Sequence, residues 1–268
     1  MNEFSLAHLT VLSLSPPEMV NVAACTGYQA IGLRLIAVTA DSPGYPLMFD
    51  PPAMRATKAR LDDTGIRVGD IEFVKITPEI DIMSLEPFAA AGAELGAKYI
   101  IAAPYDPDLG RLAERFAALA DLAGQYNLSV LLEFFPWTVV PDVRAATRIV
   151  EAADRNNAGL LVDTLHFARS GSRLEHLDLV SPARLPFVHV CDAKAGGPFT
   201  TEQLLHTARS ERLPPGEGDI DIRGILERLP AGIPIGLEVP MERLTRERGP
   251  EEVARHVRAA AGRLISGI

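Results

Sequence analysis

Cysteine is scarce: the 268 residues contain two, Cys25 and Cys191. Two thiols so far apart in sequence make no disulfide framework and suit a reducing cytosol. Long apolar runs are missing too. None approaches the ~20 residues that a membrane span requires, so no membrane partner is expected. The N-terminal stretch MNEFSLAHLTVLSLSPP carries an acidic residue and no Lys or Arg before its short apolar run, so it does not read as a signal peptide. A soluble, cytoplasmic protein is expected. Positive charge is in deficit as well: 26 Lys+Arg stand against 35 Asp+Glu, a formal net charge of −9. That balance argues against a protein that grips phosphate backbones, and no nucleic-acid partner is expected. Gly-, Ser- and Pro-rich linkers, charge runs and low-complexity tracts are also absent, so residues 1–268 read as a single domain.

What remains is an ordinary globular composition, 47% apolar and 23% charged. Short runs rich in β-branched residues alternate with longer segments of helical period. The predicted strands are Leu9–Leu14, Ala30–Leu35, Val68–Ile76, Tyr99–Ala103, Ser129–Phe134, Gly159–Asp163, Phe187–Cys191 and Ile233–Val239. Between them lie helix candidates with recognisable starts or stops: Pro16–Ala24, Pro51–Asp63, Ile82–Leu95, Asp108–Gln125, Pro141–Arg155, a shorter Ile222–Leu229 and the terminal Glu251–Leu264. Leu174–Leu179 supplies a further short helical piece, and the segment from Cys191 to Ile233 is the longest excursion. Nearly continuous apolar strands are the mark of a parallel sheet buried on both faces. Eight of them in about the length of a typical barrel predict an α/β protein with one (β/α)8 fold, in preference to an open doubly wound sheet.

Carboxylates and an imidazole fall where these strands end. Glu133 closes Val130-Leu131-Leu132-Glu133, Asp163 closes Leu160-Leu161-Val162-Asp163, His189 lies in Phe187-Val188-His189-Val190, and Glu238 follows Ile235-Gly236-Leu237. In a parallel barrel all strand C-termini open on one face, so the four side chains should converge there. Three carboxylates and one imidazole in a half-buried mouth repel one another unless a cation sits among them. One divalent metal ion is therefore expected; oxygen-rich ligands with one imidazole suit Mn, Mg or Co, with Zn also admissible. Singly, each residue could be a helix cap or a loop salt bridge. Four such groups at four strand ends, each interrupting an apolar run, are harder to explain by packing.

At these residues the sequence resembles the xylose isomerase-like TIM-barrel superfamily, the sugar-phosphate isomerase and epimerase proteins. The segments that carry the resemblance are LLEFFPW, LLVDTLHFARSG, FVHVCDAK, LPPGEGDIDIRGIL and PIGLEVP in the C-terminal half, with GYQAIGLRL in the N-terminal half. The resemblance implies that Glu133, Asp163, His189 and Glu238 bind one divalent metal. It also implies that Glu133 and Glu238 move a proton on opposite faces of a small polyhydroxylated carbonyl substrate, and that His166 touches a substrate hydroxyl. A metal that chelates a carbonyl and the neighbouring hydroxyl acidifies the carbon-bound proton and stabilises the enediolate. Returning the proton to the other face gives an epimer, returning it to the adjacent carbon gives an isomer, and expelling a β-hydroxyl gives a dehydratase.

Other residues enter as substrate contacts: Trp137 as an apolar wall beside a sugar ring, Lys194 as a partner for a phosphate or carboxylate, Glu217 in the loop Pro215-Gly216-Glu217-Gly218-Asp219, and Arg34 at the end of the second strand. Their bland readings are a core or loop anchor, a solvated loop lysine, a tight-turn residue and a surface salt bridge. His8 reads as a rim residue, and His176, His206 and His256 as surface residues. The superfamily's endonuclease branch has further histidines on its middle strands; Val68–Ile76 and Tyr99–Ala103 have none. A barrel that binds a metabolite without turning it over would lack one of the two proton-transfer carboxylates, and both are present. Homo-oligomers are common among such barrels.

Overall fold

In a computed structural model that describes residues 3–265, eight parallel strands close into a barrel in chain order, the last pairing with the first. They are β1 Phe4–Ala7, β2 Ala30–Arg34, β3 Arg67–Ile76, β4 Tyr99–Pro104, β5 Ser129–Glu133, β6 Ala158–Asp163, β7 Phe187–Val190 and β8 Ile235–Leu237. The runs are nearly all apolar because their side chains alternate between the barrel interior and the ring of helices, and both sides are buried.

The helices are α1 Pro16–Thr26, α2 Pro51–Thr64, α3 Glu86–Glu94, α4 Leu109–Gln125, α5 Val143–Ala153, α6 Thr164–Arg169, α7 Leu174–Leu177, α8 Thr201–Ser210, α9 Ile222–Leu226, α10 Glu242–Arg248 and α11 Pro250–Ile265. Several start at a side chain that accepts an otherwise orphaned backbone N–H: Asp50, Asp108, Asp142, Asp163, Thr200 and Asp221. Each such cap stabilises its helix by about 1 kcal/mol. Gly27 and Gly65 end α1 and α2 in the left-handed conformation that a glycine adopts without a Cβ clash. Among the described residues no helix is long and apolar enough to cross a membrane.

Three expectations need correction. The first strand is Phe4–Ala7, not Leu9–Leu14. The latter run opens in a 3-10 turn, His8–Val11, and crosses the top of the barrel, where the Thr10 hydroxyl donates to the Leu237 carbonyl (2.8 Å) and accepts from the Val239 N–H (2.8 Å). Its apolar side chains serve a loop that covers the mouth, a role that periodicity does not separate from a strand. The segment Ile82–Leu95 splits into a 3-10 turn, Ile82–Leu85, and α3, which carries Pro87 in its first turn. Finally, the long excursion after β7 contains α8, and α10 follows β8. The Thr200/Gln203 capping box that starts α8 was a legible signal.

Candidate active site

Register brings the strand ends together. Asp163 on β6 pairs with His189 on β7, and His189 pairs with Gly236 on β8, so Glu238 lies just above His189 on the neighbouring strand. Glu133 pairs with Leu161, two residues before Asp163. One potential ligand atom from each of Glu133, Asp163, His189 and Glu238 falls within 4.8 Å of the others, and all four residues are buried. Gly236 makes room for the imidazole: a Cβ built there would sit 2.5 Å from His189 Cδ2 and 2.8 Å from Phe187 Cζ.

Arg212, for which the sequence offers no signal, lies against one side of the cluster, beside Asp163 and Glu238. It is on a strap pinned on both sides: Asp192 and Leu213 exchange backbone hydrogen bonds (2.8 Å each), and the Arg212 N–H donates to the Pro240 carbonyl (2.9 Å). Its guanidinium donates to Asp163 Oδ2 (2.6 Å) and pairs with Glu238 Oε2 (2.8 Å), while Nε donates to the Ala208 carbonyl (2.9 Å). Asp163 also caps α6, its Oδ1 accepting from the N–H groups of Leu165 (2.7 Å) and His166 (3.2 Å). Cap, salt bridge and site residue are thus one side chain. Burial opposes its ionisation, but Arg212 together with His166 and His189 outweighs burial and holds the carboxyl down at about 2.

Glu133 is the opposite case. Burial, then the charges of Glu238 and Asp163, push its carboxyl well above the usual range. Its Oε1 is buried without a hydrogen-bond partner, as are both ring nitrogens of His189. Orphaned buried polar atoms of this kind are costly, and one donor atom from each of the four residues borders a gap that a small cation would fill. The donor set of three carboxylates and one imidazole fits a divalent ion.

Further charge lies beneath. Asp70 and Glu72 interrupt β3 at a spacing of two and are both buried. Sequence reasoning missed them, although they carry the same signal as Glu133: a carboxylate inside an apolar strand. Glu72 pairs with Arg34 at 3.1 Å, so the salt bridge considered for Arg34 exists but is buried, not superficial. Asp70 is pushed well up by burial and by the nearby Glu72 and Glu238 charges. His8 is buried in the interior, accepting at Nδ1 from the Arg34 N–H (3.0 Å) and facing the Leu14 carbonyl through Nε2 (3.0 Å).

Above the cluster opens a cavity of about 170 Å³. Its floor includes Glu133, Glu238, Arg212 and Arg34; Phe73, Tyr105, Phe135, Trp137 and His166 line its side. The Trp137 indole N–H donates to the Tyr105 hydroxyl (3.2 Å), and the His166 ring packs edge-on against Trp137 and Phe135. His166 Nε2 lies 3.8 Å from Glu133 Oε1, and burial lowers its pKa to about 4.

The structure thus brings Arg34, His166 and Trp137 to the cavity, but not Lys194 or Glu217. Lys194 Nζ donates to the Glu217 carbonyl (3.0 Å), and the Glu217 carboxylate pairs with His256 (3.1 Å) on the outer surface. Substrate contact by these two is therefore withdrawn. Asp192, buried behind them, accepts from the N–H groups of Ala193, Gly216 and Ile220 and pulls the glycine-rich loop away from the mouth. His176, read as a surface residue, is buried at the start of α7.

A carboxylate–imidazole cluster at the C-terminal mouth of a closed eight-stranded barrel defines a (β/α)8 protein with its reactive groups where such barrels carry active sites. The chain belongs to the xylose isomerase-like TIM barrel family, whose model matches residues 20–260. Inosose isomerase from Bacillus velezensis is 31% identical over 148 residues, 50% of each chain. The chain therefore spans about half the length of the curated relatives it matches. Among solved structures, the IOLI protein with a bound zinc atom superposes with a TM-score of 0.82 at 20% identity, over 100% of this chain and 99% of that one. The probable 3-DHS dehydratase AsbF from Bacillus anthracis has a TM-score of 0.75 at 16% identity, over 96% of this chain and 97% of that one. D-allulose 3-epimerase from Methylomonas sp., in complex with D-allulose, has a TM-score of 0.72 at 15% identity, over 99% of this chain and 96% of that one. At these identities the structural likenesses establish the fold.

Proposed function

We propose that the chain is a sugar or keto-polyol isomerase or epimerase that moves a proton at the carbon next to a carbonyl, with one divalent cation held by Glu133, Asp163, His189 and Glu238. The observation that carries this reading is the cluster itself: four donors from four adjacent strands within 4.8 Å, with Glu133 Oε1 and both His189 nitrogens unpartnered. Charge balance supports it. Five buried carboxyl groups, of Asp70, Glu72, Glu133, Asp163 and Glu238, face two guanidinium groups, of Arg34 and Arg212. A divalent cation with one retained proton would close the deficit. The names of relatives, an inosose isomerase and a D-allulose 3-epimerase, support the substrate class.

The cation, when bound, would polarise a carbonyl and its neighbouring hydroxyl. The rest falls to the chain. Glu133 comes from β5 and Glu238 from the end of β8, with β6 and β7 between them, so the two carboxylates approach a molecule in the cavity from different sides. One takes the proton from carbon as the electron pair moves toward the carbonyl oxygen. Return from the other carboxyl to the opposite face of the same carbon inverts it; return to the adjacent carbon, with the neighbouring hydroxyl proton passing to the former carbonyl oxygen, shifts the carbonyl. Glu133 suits the exchange because burial and the charges of Glu238 and Asp163 favour its protonated form more than in an ordinary carboxyl. His166, neutral at pH 7 and with an unpartnered Nδ1, can hydrogen-bond a substrate hydroxyl, while Phe135 and Trp137 cover the C–H face of the substrate and exclude water.

The test is solvent deuterium incorporation, read by mass spectrometry, for keto-sugars, inososes and dehydroshikimate with divalent-ion-loaded protein. Glu133→Gln and Glu238→Gln should each reduce exchange by at least about 100-fold while keeping the fold. Near-normal exchange in both variants would sink the acid/base assignment. A product lighter by one water would move the assignment from isomerase to dehydratase.

A further inference from the structure

The four donors of the cluster are not held alike. Glu133, Asp163 and His189 each lie within a strand, where the register with neighbouring strands fixes the backbone that carries them. Glu238 lies outside one. β8 ends at Leu237 after three residues, and its register with β1 stops at the pair Leu6 and Leu237. Past that pair the chain leaves β1 for the 3-10 turn His8–Val11. The Val239 N–H, next along the barrel wall, is met by a side chain: the Thr10 hydroxyl accepts from it at 2.8 Å and donates to the Leu237 carbonyl at 2.8 Å. One oxygen atom thus bonds the residues on either side of Glu238, the same two-residue span that a neighbouring parallel strand bridges with its backbone.

Thr10 is itself held firmly enough to do this. It is 2% exposed, and the turn that carries it is fixed on the β2 side by His8, whose ring accepts from the Arg34 N–H (3.0 Å) and stacks on Tyr45. The device recurs at the rim. Just past the end of β7, the Thr164 hydroxyl donates to the Cys191 carbonyl (2.7 Å) and accepts from the Cys191 N–H (2.9 Å). Arg212 takes hold of Glu238 from the strap, at Oε2 (2.8 Å) and at the backbone carbonyl (3.2 Å), while Thr10 fixes the flanking peptide groups from the β1 side. We propose that Thr10 is the positioning residue for Glu238: its hydroxyl replaces the missing strand neighbour and so sets the direction in which the carboxylate leaves the backbone toward the other three donors. The proposal rests on Glu238 being a donor to the cation, as inferred above, and adds to that site a residue that lies on no strand end.

The test is calorimetric titration of Mn²⁺ alone into the ion-free full chain at pH 7, with melting temperatures measured in parallel. Thr10→Val keeps the side-chain shape and removes the hydroxyl; it should weaken Mn²⁺ binding about 10–100-fold, the loss typical when a group that orients a metal ligand is removed. Thr10→Ser keeps the hydroxyl and should restore binding to within about threefold of the parent. Thr10→Ala leaves room for a water between the two peptide groups, costs folding less than valine, and should bind with an affinity between those of the serine and valine variants. Thr57→Val is the control: it removes a buried hydroxyl on α2 that donates to the Ala53 carbonyl of its own helix, and should lower the melting temperature while leaving Mn²⁺ affinity as in the parent. Parent-like affinity in both Thr10→Val and Thr10→Ala, or a loss no greater than in Thr57→Val, overturns the proposal. Glu238→Gln in the same titrations separates the two readings. Weakened binding there beside parent-like binding in the Thr10 variants removes only the Thr10 assignment, whereas parent-like binding in Glu238→Gln removes Glu238 from the donor set and the proposal with it.

Discussion

Replacing Arg212 with methionine tests whether the mouth of the barrel is held by charge. The guanidinium is 2% exposed, meets Asp163 at 2.6 Å and Glu238 at 2.8 Å, and donates to the carbonyls of Ala208 and Glu238. Methionine fills much of the same volume, so the loss is electrostatic: two buried carboxylates beside a third, Glu133, with no cation between them. Breaking a buried pair from one side costs about 3–5 kcal/mol, a large part of the 5–15 kcal/mol that holds a typical domain together. Without divalent ions, urea unfolding at pH 7 should show that loss. The sign with pH follows from Asp163, which Arg212, with His166 and His189, keeps at about 2 against an ordinary 3.8. Its share of stability is complete above 3.8 and disappears as pH falls through about 2, so the gap between variant and parent should narrow on acidification. Divalent ions should restore more stability to the variant than they add to the parent, because they supply the missing charge. Arg212→Lys keeps the charge but not the planar fork and should lie between the two. A methionine variant within 1 kcal/mol of the parent in ion-free buffer would refute the reasoning.

Gly236→Ala should displace the His189 ring, since the new Cβ would lie 2.5 Å from its Cδ2. The expected cost is about 1–3 kcal/mol of stability, together with a loss of divalent-ion affinity seen by calorimetry; unchanged affinity would mean that His189 is not a ligand. His8 should make the protein acid-sensitive. Its neutral ring has Nδ1 occupied by the Arg34 N–H, and burial brings its pKa from 6.5 to about 4. Between these values the unfolded chain binds the extra proton, so stability should fall by up to about 1.4 kcal/mol per pH unit as pH drops below 6.5. Thermal melts of His8→Gln between pH 6.5 and 5 should show a shallower slope than the parent, and an identical slope would contradict this.

Particular residues show how far sequence reading reached. The run Leu160-Leu161-Val162-Asp163 declared both a strand and its end, because a parallel strand buried on two faces must be apolar until it leaves the barrel. The same logic located Glu133, His189 and Glu238, and would have located Asp70 and Glu72 had the middle of β3 been read as closely as the strand ends. It failed at Leu9–Leu14, where a covering loop is as apolar as a strand, and at Lys194 and Glu217, whose glycine-rich loop is tied back by Asp192. Arg212 was out of reach altogether. Its partners lie 49 and 26 residues away in sequence, and nothing local distinguishes it from a surface arginine until the strap carrying it is pinned between the ends of β7 and β8.

The sequence by itself determined the alternation of strands and helices, and hence the closed barrel, because hydrophobic period and strand-end polarity are properties of neighbours along the chain. Which charges meet was decided only by tertiary closure. The pairing of Arg212 with Asp163 and Glu238 and the burial of Arg34 against Glu72 depend on distances between strands and loops that no local pattern records.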